Sequence, residues 1–117
     1  DLIVHGDGSQ TRCFGYVLDV IPALIDLMAC REAEGLAVNL GSVEEISIRD
    51  LAQLVTEVTG SRSEVKLVPY GAVYEAGFED MPRRVPDISR ARKLLGFEPT
   101  TTLREIIEAM VEDIRSR

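Results

Sequence analysis

Residues 18–30 constrain this chain more than any other stretch. Val20, Ile21, Leu24, Ile25, Leu27 and Met28 recur at helical spacing and cover most of the circumference of a helix. A helix that apolar must be buried on more than one face. A chain of 117 residues supplies one modest core, too little to cover it. The pattern therefore predicts a helix that packs on a neighbour outside these residues. Asp19 is placed to cap its start, and Pro22 is expected in its first turn, where a missing N–H costs nothing.

The remaining elements alternate. Residues 2–4 read as a short strand, Gly6-Asp7-Gly8 as a turn, and residues 12–16 as a second strand or extended segment. Residues 37–40 read as a short buried strand before Gly41. Ser47 is an N-cap with Asp50 three residues on, and Ile48, Leu51, Ala52, Leu54, Val55 and Val58 mark the buried stripe of a helix closed by Gly60. Residues 64–68 alternate as a strand that Pro69 stops. Residues 69–86 carry Tyr70, Tyr74, Phe78 and the pair Arg83-Arg84 without any period; loops this long are usually functional. Asp87 or Ser89 starts a short helix over 88–95 that ends at Gly96. Thr102 and Glu105 form a capping box for a last amphipathic helix through Leu103, Ile106, Ile107, Met110, Val111 and Ile114. Strands alternating with helices predict the α/β class.

Composition narrows the function. With 45% apolar residues the chain is globular, and no apolar run reaches a membrane span. A net charge of −7 without a basic stripe argues against nucleic acid. One or two arginines still suffice to hold a diphosphate. Two cysteines and one histidine make no zinc site. Cys13 and Cys30 read either as a disulfide or, more simply, as reduced thiols of a cytoplasmic protein. Asp1 opens directly on an apolar run, as in a piece of something longer.

Two stretches mix residue types that packing does not ask for. Gly6-Asp7-Gly8-Ser9-Gln10-Thr11-Arg12-Cys13-Phe14-Gly15-Tyr16-Val17-Leu18-Asp19 places an amide, a guanidinium and two aromatic rings after a tight turn. A hairpin turn followed by a helix start accounts for the spacing without a ligand; a phosphate fork with rings to cover a base is the functional reading. Arg84-Val85-Pro86-Asp87-Ile88-Ser89-Arg90-Ala91-Arg92-Lys93-Leu94-Leu95-Gly96-Phe97-Glu98-Pro99 follows Arg83. Arg83 and Arg84 are either a solvated pair or a diphosphate clamp.

These stretches resemble the extended short-chain dehydrogenases/reductases, the NAD-dependent epimerases, dehydratases and decarboxylases of nucleotide sugars. The first is similar to that family's Gly-x-Gly-x-Gln-x-Arg-x-Phe-x-Tyr-Val-x-Asp segment, although Leu18 stands at a usually polar position. The second is similar to its near-C-terminal Arg-x-Pro-Asp segment, with Phe97 at a usual Trp or Tyr. Asn39-Leu40-Gly41 resembles the end of the last strand of its nucleotide-binding sheet. The resemblance covers the whole chain and about the last third of a family member.

It implies the C-terminal substrate-binding part of such an enzyme over residues 1–117. That part would hold the last helix and strand of a Rossmann-type sheet and a small mixed α/β subdomain. It also implies that Arg12 and Arg84 hold the diphosphate with Gln10 assisting; Arg83, Tyr16 and Asn39 complete the substrate-binding set. The partners implied are a nucleotide sugar and an N-terminal Rossmann half, and a homo-oligomer is allowed. UDP-sugar 4-epimerases and UDP-glucuronate decarboxylases are the nearest types; the run from Pro69 to Asp87 leans toward the epimerases.

NAD belongs to the complete enzyme. No Gly-x-x-Gly-x-x-Gly run exists here, and none of Tyr16, Tyr70 and Tyr74 is followed four residues on by lysine. The chain alone is therefore expected to bind no cofactor and transfer no hydride. The alternative is a stand-alone module that binds a diphosphate or dimerises. Self-association or partial unfolding of the isolated chain, with helix 19–30 exposed, favours the first reading; a monodisperse, stable monomer favours the second.

Overall fold

The structure, a computed structural model, describes residues 1–117 except Tyr74 and Phe78. Two expected aromatic loop residues thus lie outside the described residues. The chain forms two compact units.

The first unit comprises residues 1–12, 45–84 and 104–117. Strand β1 (Leu2–His5) pairs in parallel with β4 (Val65–Val68), Leu2 opposite Val65 and His5 opposite Val68. Helix α2 (Ile48–Thr59) packs on both. Its predicted stripe is buried or half-buried, with Ala52 most enclosed. Ser47 caps α2 as expected: its hydroxyl accepts the Asp50 N–H at 3.1 Å, and Gly60 ends the helix at φ +64°. Replacing Ser47 with alanine is expected to cost about 1 kcal/mol, read as a lowered urea midpoint at unchanged m-value.

Strand β2 (Thr11–Cys13) pairs with β3 (Glu45–Ser47), a strand that three residues of mixed polarity do not announce. The turn before β2 is tight. A Cβ on Gly8 would stand 2.8 Å from Arg49 Cβ and 2.9 Å from Val4 Cγ1, and its φ of +74° suits glycine alone. Helix α4 (Leu103–Ser116) buries Ile106 and Ile107, and Arg104 pairs with Glu57.

The second unit comprises residues 13–44 and 85–103. Its core is Ala23, Ile88, Ala91 and Phe97, joined by Val38, Leu40 and Leu95. Ala23 lies on α1 (Val17–Ala29) and Ala91 on α3 (Ser89–Leu95). Three expectations are corrected here. Helix α1 begins after Tyr16, whose extended φ/ψ (−83°, 133°) starts it early, so Asp19 is not the cap. The Asp19 carboxylate instead accepts the Thr101 N–H at 3.2 Å. For the same reason Pro22 falls inside the helix, and the Leu18 carbonyl loses its donor.

The strand expected over residues 37–40 does not form. A strand needs a neighbouring ladder, and no described strand bonds to this segment. Residues 37–40 pair with no strand among the described residues, while the mixed α/β class with a parallel strand pair stands. The apolar helix is confirmed together with its problem. Leu18 and Ile25 are each 62% exposed and Met28 is 89% exposed, and only Ala23 of α1 is buried. No described helix is long and apolar enough to cross a membrane. Cys13 and Cys30 are not joined by a disulfide.

Candidate functional site

The first unit brings three of the predicted arginines to one neighbourhood. Arg12 sits on β2, and its side chain is 18% exposed. Its Nη1 donates to the Thr11 carbonyl at 2.6 Å and the Met81 carbonyl at 2.8 Å. Its Nη2 donates to Asp80 Oδ1 at 2.7 Å. Arg84 reaches the same carboxylate oxygen only at 4.0 Å and keeps a side-chain exposure of 59%. A single β-bridge creates this proximity: Thr11 bridges Arg83 in parallel, and the Thr11 N–H donates to the Pro82 carbonyl at 2.8 Å.

The neighbours Arg83 and Arg84 separate clearly. Arg83 forks onto Glu45, Nε to Oε1 at 3.0 Å and Nη2 to Oε2 at 3.3 Å. The Thr11 hydroxyl donates to the same Oε1 at 2.7 Å. Arg83 is thereby committed to β3, and Arg84 is the more available cation. Gln10 turns inward, its Nε2 donating to the His5 carbonyl at 3.1 Å. Its main-chain carbonyl accepts the Ile48 N–H, tying it to the start of α2.

The Thr11 hydroxyl, then the Arg83 guanidinium, hold the Glu45 carboxyl below its ordinary pKa. A carboxylate with a depressed folded pKa stabilises the fold above its unfolded pKa, and that contribution is lost as pH falls through the folded value. Wild-type stability is therefore expected to drop below the ordinary glutamate value of about 4.3 more steeply than that of Glu45→Gln. Equal slopes in urea melts across that window would refute this.

Tyr16 and Asn39 belong to the second unit. Tyr16 starts α1. Asn39 Nδ2 donates to the Asp87 carbonyl at 3.3 Å beside a shallow cavity of about 240 Å³ lined by Ala37, Asp87, Ser89 and Arg90. The Asp87 carboxylate accepts the Ser89 N–H at 2.9 Å at the start of α3.

Sequence reasoning missed Asp80, Tyr70 and Glu45 as members of the arginine cluster. No period marks Asp80, which follows Glu79 in an irregular segment; Tyr70 stood out only as an aromatic. No group of three or more metal-ligating side chains is present among the described residues.

A family model described as GDP-mannose 4,6 dehydratase matches residues 1–110. A UDP-N-acetyl-α-D-glucosaminuronate decarboxylase of Bacillus cytotoxicus is 37% identical over 115 residues, covering 98% of this chain and 36% of the relative. A UDP-glucuronic acid decarboxylase 1 of Danio rerio is 39% identical over 111 residues, covering 95% of this chain and 25% of that protein. Among solved structures, the UDP-glucuronic acid 4-epimerase of Bacillus cereus in complex with UDP-glucuronic acid and NAD superposes with a TM-score of 0.81 and 26% identity. It covers 97% of this chain and 35% of the epimerase. The chain thus spans about a quarter to a third of the length of the proteins it matches.

Proposed function

From the premise that this chain belongs to the GDP-mannose 4,6-dehydratase family of nucleotide-sugar epimerases and dehydratases, we infer that it is the nucleotide-sugar-binding part of such an enzyme. The observation that carries this reading is the convergence of Arg12 and Arg84 on one point, Asp80 Oδ1. Two guanidiniums aimed at one oxygen suit a diphosphate, because each offers forked donors and a permanent charge. Fixing the nucleotide end leaves the sugar to present its reacting carbon elsewhere.

The substrate class we assign is a UDP-hexuronate. The names of the decarboxylases and of the 4-epimerase above support it, since each acts on a uronic acid sugar. A site that holds the nucleotide end serves decarboxylation and 4-epimerisation alike.

NAD is the cofactor proposed for the complete enzyme, which supplies the hydride acceptor when bound. These residues do not fit it. The glycine turn after β1 is filled: a Cβ on Gly6 would stand 2.6 Å from the Tyr70 ring, and Gly8 is closed by Arg49 and Val4. No backbone cradle for a pyrophosphate is left there. We assign no step of hydride transfer to this chain. The exposed apolar face of α1 is read as covered by the nucleotide-binding half.

Calorimetric titration of UDP into the chain tests the reading. Wild type is expected to bind, and Arg84→Ala to bind roughly tenfold or more weakly, as for the loss of one charge-assisted phosphate contact. Equal affinities for the two would sink the assignment of Arg84.

A further inference from the structure

Asp80 lies in the irregular segment before Arg83, yet three contacts tie it to the arginine cluster. Oδ1 accepts Arg12 Nη2 at 2.7 Å and stands 4.0 Å from Arg84 Nη2. Oδ2 accepts the Tyr70 hydroxyl at 3.2 Å. The Tyr70 ring is itself pressed on the main chain of Gly6, which holds φ +70° where any side chain would collide with the ring. The Gly6 turn seats the ring, the ring's hydroxyl holds the carboxylate, and the carboxylate holds the guanidinium.

We propose that Asp80, seated by Tyr70 on Gly6, is the positioning residue that aims Arg12 and Arg84 at a shared diphosphate. The inference rests on the nucleotide-binding reading above. Two guanidiniums brought together repel each other, and a carboxylate between them removes that repulsion and turns both toward one point. Arg12 is held at three of its five N–H donors, by two carbonyls and by Asp80. Its Nε–H and one Nη2 hydrogen have no acceptor among the described residues. Those two donors are what a phosphate takes from a fixed fork. Side-chain exposures of 18% for Arg12 and 23% for Asp80 keep water from loosening the pair.

The test compares UDP with uridine, which lacks the diphosphate, on wild type, Asp80→Asn, Asp80→Ala and Arg84→Ala. Circular dichroism verifies folding of each. Asp80→Ala is expected to weaken UDP about tenfold and to leave uridine unchanged, because only the phosphate contacts lose their aim. Asp80→Asn keeps an acceptor for Arg12 and is expected to recover part of the loss. If Asp80→Ala does not fold, Asp80→Asn alone carries the comparison, with a smaller UDP-specific loss expected. Unchanged or tighter UDP binding overturns the proposal, the latter because Asp80 would then compete with phosphate. A loss shared equally by UDP and uridine also overturns it, since the role would be structural. If wild type binds no UDP, the nucleotide-binding reading fails and takes the inference with it; if Arg84→Ala binds UDP as wild type does, only the assignment of Arg84 fails, and the inference that Asp80 aims it fails with it.

Discussion

Replacing Ile88 with alanine is expected to destabilise the chain by about 3 to 4 kcal/mol. Ile88 is the largest fully buried side chain, 1% exposed, at the centre of the cluster with Ala23, Ala91 and Phe97. Deleting three of its carbons loses their transfer free energy and leaves a cavity, a combination that usually costs about 2 to 5 kcal/mol for Ile→Ala. Two of its neighbours are alanines, which have no long side chain to swing into the gap. The unit around it holds 51 residues (13–44 and 85–103), so little other core compensates. Chemical denaturation monitored by circular dichroism checks this; a change below about 1 kcal/mol would show that the site collapses freely.

Arg12→Ala is expected to have the second large effect, on binding and on local order together. The substitution removes three hydrogen bonds, to the Thr11 carbonyl, the Met81 carbonyl and Asp80. It leaves a mostly buried Asp80 carboxylate without its nearest cation, and an uncompensated charge costs more than its pair contributed. It also removes one of the two proposed phosphate clamps. We expect UDP affinity to fall by roughly 10- to 100-fold, from a charge-assisted contact of about 1.5–3 kcal/mol. Arg12→Lys is expected to recover little, because a point charge cannot reach two carbonyls and a carboxylate at once. Titration of UDP into both variants decides it; full affinity in Arg12→Ala would assign Arg12 to the fold alone.

The sequence by itself determined the elements whose information is local. Ser47 and Gly60 bound α2 through a side-chain cap and a left-handed glycine, both written in the residues at the ends. The apolar repeat of residues 18–30 was legible as a helix that exceeds its own core, and the exposed Leu18, Ile25 and Met28 are that excess. Arg12 and Arg84 were legible as candidate clamps from residue type and family resemblance.

Tertiary structure decided what depends on partners far along the chain. The segment 37–40 has the composition of a strand, but composition supplies no hydrogen-bonding neighbour, and none among the described strands bonds to it. Asp19 has the chemistry of a cap and became the acceptor for Thr101, 82 residues on, because Tyr16 had already turned the chain into the helix. Arg83 and Arg84 are adjacent and chemically identical. Only the bridge that sets Thr11 against Arg83 turns one onto Glu45 and leaves the other facing Asp80. Residue type states what each side chain is able to bind; the long-range pairing of β2 with the segment before α3 decides which of them still has a donor left.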